Sequence, residues 1–334
     1  MERSNYDTID ILKFIGSILI FTVHLKLFNG LGDFGTIIVL LSRWGVPFFF
    51  LASSFFLFRK SSDQWTAVKK YMRRILILYI VWFIYNLPSI FYSRFYVRGA
   101  SNPRTWLTFL KGALLSSTFK GSWYLVSSIF CAFAVYLLCK KFKTRSVVII
   151  SLAVEILCVM SSAYCRLLPQ PLKSALLTLE FPLNIFGGLF FFSVGKWLAE
   201  NRDSVLKIST AKYVSAAAVF YVLYFAEIYF VKKESFFRSS DCAFFLIPAS
   251  ICIFITALKI PLKIKNPQLF RRLSTVIYCA QGNVLVAVVL LANHFSINSA
   301  ITKTCIGLVI MAVVAAAVIL LQKSKRISWA KYLT

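Results

Sequence analysis

The sequence predicts an all-α integral membrane protein that folds as a single bundle of about ten transmembrane helices. Of its 334 residues, 59% are hydrophobic and only 15% are charged, and the mean hydropathy is +0.76. Apolar runs of about twenty residues recur along the chain, and this is the length that a helix needs to cross the hydrocarbon layer. Because a backbone in lipid must satisfy its own hydrogen bonds, each run is predicted to be helical.

Ten apolar runs are long enough to be predicted spans, and each ends where charged or polar residues resume. In chain order they are Ile9–Phe28, Ile38–Phe58, Ile75–Tyr92, Ser122–Cys139, Val147–Cys165, Ala175–Ala199, Tyr213–Val231, Cys242–Leu258, Ser274–Ala292 and Ala300–Gln322. No internal repeat or low-complexity tract separates them, so residues 1–334 are predicted to form one membrane domain without an appended soluble domain. The first run is too long for a signal peptide and contains charged residues, so we expect it to be retained.

The distribution of charge predicts the orientation of the bundle. The net charge is +26, from 38 Lys and Arg against 12 Asp and Glu. Basic residues concentrate in alternate loops, as in 69–74 and 140–145, and the positive-inside rule then places both termini in the cytoplasm. The charge therefore indicates contact with anionic membrane lipids and argues against a nucleic-acid partner.

The cysteines and histidines do not predict a metal site. The eight cysteines lie in or at the ends of apolar runs, and the sequence contains no C-x-x-C pair and only two histidines, which are far apart. Metal sites built from Cys and His need several ligands at close spacing. Buried free cysteines are expected to pack as small hydrophobic residues.

A polar stripe on the first predicted span is the main candidate for chemistry. Lys13 and His24 are eleven residues apart, which on a helix places their side chains within about 20° of each other and about 16 Å apart. Asp10 and Ser17 project from nearly the same stripe. Because ionisable groups are costly in lipid, we expect Lys13 and His24 to face a hydrated interior cavity continuous with the cytoplasmic side. The alternative is a snorkelling Lys13 paired with Asp10, and a His24 packed among helices.

Three other segments carry candidate binding residues. Arg43 lies at the predicted outer face, where it could meet an anionic acceptor, a neighbouring helix or the lipid headgroups. Arg73 and Arg74 lie at the cytoplasmic mouth of the third predicted span, where they either bind phosphate or form an ordinary basic flank. Trp123 and Tyr124 open the fourth predicted span from the outer face, where they form an interfacial belt or stack on a sugar ring.

Other polar residues have roles that the sequence leaves open. Glu155, Glu180 and Glu227 interrupt later predicted spans, and both proton coupling and structural pairing fit them. His294 is expected to be solvated in a short outer loop. The segment from 105 to 116 alternates aromatic and aliphatic residues with polar ones, which predicts a helix lying on the outer surface.

Taken in order, these segments resemble the family-3 membrane acyltransferases of bacteria. The run Ile9–Lys13, followed by ten residues and His24, is similar to the first-helix signature of that family, in which a basic residue, usually Arg, precedes a His by the same spacing. Further matching segments follow in the same order: Arg43–Phe49, Arg73–Leu76, Trp123–Leu125 and Leu273–Tyr278. The resemblance covers nearly the whole chain.

The resemblance implies an acyl transfer that crosses the membrane, mostly of acetyl groups. Acyl-CoA, as a co-substrate and not a permanently bound cofactor, would bind from the cytoplasm with its phosphates near Lys13, Arg73 and Arg74. His24 would act as a general base or a transient acyl carrier, with Lys13 and Asp10 completing the catalytic stripe. An imidazole suits either role because its unperturbed pKa lies near neutrality.

The acceptor that the resemblance implies is a hydroxyl of an extracytoplasmic envelope glycan or lipid-linked saccharide, approaching past Arg43, Trp123 and Tyr124. The implied location is the bacterial cytoplasmic membrane.

The sequence also departs from the family pattern. Lys13 replaces the usual Arg, and Gly121 and Gln281 stand where many members have His. Met72 weakens the usual spaced basic pair on the third helix. Related membrane domains are fused to racemases and are thought to move amino acids, so transport of a small solute is the alternative function. A flippase for a lipid-linked glycan fits the ten spans but explains neither Lys13 nor His24.

Overall fold

The computed structural model describes residues 6–26, 32–59, 63–97, 102–323 and 333–334. The α-helices in these ranges are α1 (Asp7–His24), α2 (Gly32–Leu41), α3 (Gly45–Phe58), α4 (Gln64–Tyr85), α5 (Leu87–Ile90), α6 (Pro103–Leu115), α7 (Ser122–Lys141), α8 (Thr144–Ser162), α9 (Gln170–Thr178), α10 (Leu189–Glu200), α11 (Arg202–Lys207), α12 (Thr210–Lys233), α13 (Leu246–Lys259), α14 (Pro267–His294) and α15 (Ala300–Lys323). A π-helical segment, Phe91–Tyr96, follows α5, and a 3₁₀ turn, Cys165–Leu167, follows α8. These ranges contain no β-strand, so the all-α prediction is confirmed.

The helices make the chain a multi-pass membrane protein. Six helical segments of the described ranges are long and apolar enough to span a membrane: Phe34–Phe58, Ser122–Lys141, Thr144–Ser162, Thr210–Lys233, Pro267–His294 and Ala300–Lys323. The pair Gln64–Tyr85 and Leu87–Tyr96, bent by 65°, is a seventh if it is one broken span.

The count of ten spans is not confirmed. α10 and α13 have only 12 and 14 residues, and α1 carries three charged side chains in its first two turns. The predicted end of the first span, at Phe28, lies outside the described residues, as does the stretch before Tyr6. The cytoplasmic placement of both termini therefore stays a prediction.

Two predicted spans are wrong as continuous helices. Ile75–Tyr92 contains the 65° bend between Gln64–Tyr85 and Leu87–Tyr96. Ala175–Ala199 is divided into α9 and α10, and residues 179–188 between them form turns. Glu180 has a φ of 60°, which no α-helix allows. At the end of this turn region a Cβ on Gly188 would lie 2.3 Å from the Phe50 ring, so the chain here passes directly against α3. Hydropathy indicates which residues are buried, but it gives no information about a contact with a distant helix such as α3. The sequence therefore predicts this run as one helix.

The helix α3 lies at the centre of the bundle, where it contacts α1, α4, α7, α10 and α13. Five of its apolar side chains are at most 1% exposed: Phe48, Phe50, Leu51, Ala52 and Phe55. A helix that is apolar on all sides is stable only when other helices surround it. The elements around α3 are therefore fixed relative to one another through it.

Small residues allow α3 and α10 to approach closely. A Cβ on Gly195 would lie 2.6 Å from the carbonyl oxygen of Leu51 and 2.8 Å from the Cβ of Ser54. The Ser54 hydroxyl donates a hydrogen bond to the carbonyl oxygen of Phe192. Close helix packing at the Ser53–Ser54 pair, which the sequence predicts, is confirmed for Ser54.

The surface helix predicted for residues 105–116 is present as α6. Its side chains Trp106, Leu107, Leu110 and Leu114 are all at least half exposed. Asn102 caps its first turn by accepting a hydrogen bond from the Arg104 amide at 3.0 Å, and Pro103 occupies the first helical position. Exposed apolar residues on an amphipathic helix fit the plane of a membrane interface.

The position of α7 gives a test of the topology. This 20-residue helix is about 30 Å long, so Phe119 before it and Lys140 near its end are expected on opposite sides of the membrane. Periplasmic and cytoplasmic reporter enzymes fused after each residue should give opposite activities. Equal reporter activity at both positions would contradict the crossing.

Candidate active site

Two cavities lie near opposite ends of α1. The first, named the outer cavity, has a volume of about 250 Å³. Its lining residues are Ile20, Val23, His24, Ser42, Arg43, Val46, Pro47, Phe50, Ser117, Lys120, Gly121, Trp123, Glu180, Leu183, Gly187, Phe191, Asp241, Cys242 and Tyr278. The structure therefore brings together three residues that the sequence analysis took from separate segments, namely His24, Arg43 and Trp123.

His24 is the last residue of α1, and its largely buried side chain forms part of the wall of the outer cavity. The charges that act on its imidazole are those of Lys120, Arg43 and Asp241. Within the described residues the imidazole has no hydrogen-bond partner. Its ring nitrogens are therefore available to a molecule that occupies the cavity.

Arg43 is held in place by the loop before α13. Its Nη1 lies 2.6 Å from Oδ1 of Asp241, and its Nε donates to the Ser240 hydroxyl at 3.2 Å. Both side chains of the ion pair are partly exposed to the cavity. Sequence reasoning missed Asp241, because the only signal was a lone acidic residue before an apolar run, and the partner lies almost 200 positions away in the chain.

Trp123 and Tyr124 point to different places. Trp123 lines the outer cavity, as expected of a residue that stacks on a sugar. Tyr124 is absent from the lining, because its hydroxyl is directed into the bundle, 2.8 Å from the Ser53 hydroxyl. Its ring packs against Phe50 and Tyr278, with centroids 4.7 and 5.5 Å apart, and so supports the cavity wall from behind.

The outer cavity contains further charged groups that the sequence analysis did not assign to the site. Glu180 accepts a hydrogen bond from the Ser116 hydroxyl and lies 3.5 Å from the Lys111 ammonium. Lys120, in the loop before α7, also lines the outer cavity. Although Lys120 is exposed at the surface, the loss of water around its ammonium lowers its pKa, and the Asp241 carboxylate opposes that effect.

Gly121 and Gln281 are in contact with each other. These are the two positions at which the resemblance leads us to expect histidines. A Cβ on Gly121 would lie 2.5 Å from Nε2 of Gln281. The carbonyl oxygen of Gly121 accepts a hydrogen bond from the Tyr278 hydroxyl at 3.0 Å. Gln281 is fully buried, so a side chain at position 121 would have to displace it.

The second cavity, named the inner cavity, has a volume of about 300 Å³ and is lined by Arg74, Gln268, Arg271, Arg272, Thr275, Gln322 and Thr334. Three arginines from two helices therefore line one cavity. Arginine side chains at this density favour an anionic ligand, because the guanidinium fork matches a phosphate or a carboxylate. Arg73 is exposed and does not line this cavity.

Asp10 joins α1 to α14. Its two oxygens accept hydrogen bonds from Nε and Nη2 of Arg271 at 3.1 and 2.8 Å. Asp10 is 6% exposed in its side chain, so this bidentate pair fixes the orientation of Arg271. Asp10 lies fourteen residues before His24, which is about 21 Å along a helix. The geometry therefore gives Asp10 a positioning role beside the inner cavity.

Lys13 lies near the inner cavity without lining it. Its Nζ is 6.0 Å from the centroid of the Phe56 ring, and the charges that act on it are those of Asp10, Arg271 and Arg74. Within the described residues its ammonium forms no ion pair and no hydrogen bond, since Asp10 is engaged by Arg271. Lys13 is thus a largely buried cation without an anionic partner.

The expected single cavity that holds both Lys13 and His24 is not what the structure shows. His24 lines the outer cavity, and Lys13 lines neither of the two cavities. Lys13 belongs with the inner cations, about 16 Å from His24 along α1. The stripe that the sequence predicts on one face of α1 therefore connects two separate sites.

The other membrane glutamates lie apart from both cavities. Glu227 accepts hydrogen bonds from the Tyr164 hydroxyl and from the backbone amides of Phe244 and Phe245, so it fixes the turn into α13. Glu155 is 2% exposed and lies within the bundle. In the described part of the chain no group of three or more His, Cys, Asp or Glu side chains is arranged to hold a metal ion.

Comparison with known families identifies the family to which this chain belongs. The family described as an acyltransferase domain matches residues 6–320. The chain belongs to the family-3 acyltransferases. This membership confirms the family that the motifs of α1, α3, α4 and α7 indicated.

The chain also has a curated relative. The chain is 22% identical to a protein named amino-acid racemase from Enterococcus faecalis, over 97% of this chain and 47% of the relative. The chain thus spans about half the length of that relative. No solved structure matches the chain significantly.

The contact between Gly121 and Gln281 gives a test of the outer wall. Gly121 has a φ of 84°, so alanine there meets both the left-handed penalty of about 1 kcal/mol and the Gln281 side chain. We expect Gly121→Ala to lower the thermal unfolding temperature of the purified protein by several degrees. Gly32→Ala is the matched control, because Gly32 also has a positive φ, of 56°, but has no neighbour within 4 Å. Equal losses in the two variants would show that the Gln281 contact does not matter.

Proposed function

We propose that the chain transfers an acyl group, in the first instance acetyl, from cytoplasmic acyl-CoA to a hydroxyl of an extracytoplasmic envelope glycan. The observation that carries this assignment is the unpaired Lys13 ammonium beside Arg74 and Arg271. A cation inside a bundle is costly unless an anion compensates it. The phosphates of CoA supply such an anion from the cytoplasmic side.

The inner cavity is the proposed donor site. Asp10 neutralises and orients Arg271, which leaves Arg74, Arg272 and Lys13 to compensate the charge of the phosphates. Guanidinium groups bind phosphate oxygens in pairs, whereas an ammonium acts as a point charge. Of the two arginines predicted from the sequence, we therefore assign Arg74 to the donor, because Arg73 does not line the cavity.

His24 is the proposed chemical centre. As a general base it takes the proton of the acceptor hydroxyl while that oxygen attacks the thioester carbonyl, and the departing CoA thiolate is then protonated. As an acyl carrier it attacks the thioester itself, releases CoA, and passes the acyl group to the acceptor in a second step. Both routes yield the ester and free CoA thiol.

The outer cavity is the proposed acceptor site. An exposed face of Trp123 suits stacking on a sugar ring, and Arg43, Asp241 and Glu180 offer donors and acceptors to sugar hydroxyls. The amphipathic α6 beside it fits an acceptor that is carried on a lipid at the outer surface of a bacterial cytoplasmic membrane. The proposed partners are thus acyl-CoA, a glycan or lipid-linked saccharide, and the membrane lipids.

A second candidate function is the transport of an amino acid. The relative named amino-acid racemase supports it, and the outer cavity holds both cations and carboxylates, which complement the two charges of an amino acid. Proteoliposomes separate the two functions: a transporter takes up labelled amino acid without acyl-CoA, whereas the acyltransferase needs acyl-CoA and an acceptor.

The roles of His24 and Arg74 can be separated by measuring binding and turnover. We expect His24→Ala to lower acyl transfer about 100-fold or more while the affinity for acyl-CoA stays within a few-fold. Arg74→Ala should instead weaken acyl-CoA binding about ten- to a hundredfold, because a charge-assisted phosphate contact is lost. Affinity is measured by equilibrium binding of labelled acyl-CoA to the protein in nanodiscs.

Arg145→Ala is the matched control for this test. Arg145 is an exposed arginine on the first turn of α8 and lines neither cavity, so its loss should change neither binding nor turnover. Full transfer activity in His24→Ala would remove the proposed chemical centre. Unchanged affinity in Arg74→Ala would remove the donor from the inner cavity.

The acceptor class is tested in cells. A bacterium that lacks this protein should lose ester-linked acetyl groups from one envelope glycan, measured as acetate released by mild alkali. Expression of the wild-type chain should restore them, and expression of His24→Ala should not. Unchanged ester content while the gene is expressed in the parent would count against a glycan acceptor.

A further inference from the structure

A cluster of four hydroxyl groups lies inside the bundle where α3, α4 and α7 meet. Its members are Ser53, Tyr71, Tyr124 and Ser128, which we name the hydroxyl cluster. The Ser53 and Tyr124 hydroxyls are 2.8 Å apart. The Ser53 and Ser128 hydroxyls also neighbour that of Tyr71. Helices that cross an apolar bundle seldom place so many polar groups together without a reason.

Two of the four hydroxyls form no hydrogen bond of good geometry in the described part of the chain, although they lie near each other. The Tyr71 and Ser128 hydroxyl oxygens are buried and have no hydrogen-bond partner in the described part of the chain. Leaving a buried hydroxyl unsatisfied destabilises a fold, so such groups in a native protein indicate a ligand that completes them. The hydroxyl cluster therefore has unused capacity both to donate and to accept.

The hydroxyl cluster lies between the inner cations and the outer cavity. Along α3, Phe56, Ser53, Phe50 and Pro47 follow one another at intervals of three residues, so each side chain neighbours the next on the helix surface. Because three residues fall about 60° short of a full turn, the row winds about half-way round the helix from Phe56 to Pro47. Lys13 lies over Phe56 at one end of this row, and Phe50 and Pro47 line the outer cavity at the other. Ser53 is between them.

Tyr71 and Tyr124 link the hydroxyl cluster to the inner cavity and to the outer cavity. Tyr71 precedes Arg74 of the inner cavity by three residues on α4, which makes them neighbours on the helix surface. Tyr124 packs its ring against Phe50 and Tyr278, both of which line the outer cavity. A molecule held at the inner cations and reaching towards His24 along α3 therefore meets the hydroxyl cluster on its way.

We propose that the hydroxyl cluster binds the amide groups of the pantetheine arm of acyl-CoA, the linker between its phosphates and its thioester. This inference rests on the proposed donor site. Each amide has one N–H donor and one carbonyl acceptor, and a hydroxyl can serve either. Amides that enter an apolar bundle need such partners, because burying them unpaired is costly. An acyl chain has no amide group and would need no such partner. The nucleotide is already held by the cations of the proposed donor site.

The test compares two ligands on the same variants in nanodiscs. Acetyl-CoA has the pantetheine arm, whereas 3′-phosphoadenosine 5′-diphosphate has the phosphates of CoA without it. Tyr71→Phe and Ser128→Ala should each weaken acetyl-CoA binding about two- to tenfold, the range for a neutral hydrogen bond, and leave the affinity for the fragment unchanged. Arg74→Ala should weaken both ligands alike. Ser151→Ala removes a buried hydroxyl of α8 that is already bonded to Val148, and should alter neither.

The unfolding temperature of each variant shows whether a loss of binding results from misfolding. Because the Tyr71 hydroxyl is unpaired in the ligand-free protein, Tyr71→Phe should unfold at the same temperature as the wild type or higher. Unchanged acetyl-CoA affinity in both variants would mean that the hydroxyl cluster holds only water, and would overturn the inference. Equal losses for acetyl-CoA and the fragment would also overturn it. Failure of the wild type to bind either ligand would instead refute the proposed donor site.

Discussion

The burial of α3 is the constraint on which the rest of the structure depends. A fourteen-residue helix with apolar side chains on every face must be enclosed, and α10 encloses it closely only because Gly195 and Gly188 lack side chains where Leu51 and Phe50 pass. The same close approach requires the turn between α9 and α10, which brings Glu180 to the outer cavity. Thus the packing of one helix determines where the charged groups of the site lie.

The low dielectric of the bundle then determines which charges are paired. Asp10 holds Arg271 at one end of α1, and Asp241 holds Arg43 near the other. Each acid thereby fixes the orientation of one cation, and the Arg271 side chain stays 59% exposed in that position. Lys13 is left unpaired by this arrangement, and this is the reason to place a mobile anion beside it. The unpaired cation and the unpaired hydroxyls nearby are both explained by one ligand.

The sequence predicts the local features of this structure, but it does not predict which distant residues contact the charged side chains. The stripe on α1, the close contact at Ser54 and the surface helix α6 depend on local spacing and composition, and the structure contains all three. The split of the sixth predicted span and the partners of Asp10 and Arg43 depend on segments far away in the chain. Hydropathy and helical periodicity contain no information about such contacts. Arg271 and Asp241 were missed for this reason, and not because their residue types were unusual.

The separation of Lys13 from His24 constrains how the proposed transfer proceeds. The two residues are about 16 Å apart along α1, so a donor whose phosphates bind at the inner cations reaches His24 only with an extended arm. On the proposed route the arm passes the row of α3 residues from Phe56 to Pro47, which is mostly apolar, while the nucleotide stays at the inner cations. The acyl group can then move outward while the phosphates stay inside. A polar site part-way along that passage, such as the hydroxyl cluster, stabilises the extended arm where the apolar walls cannot.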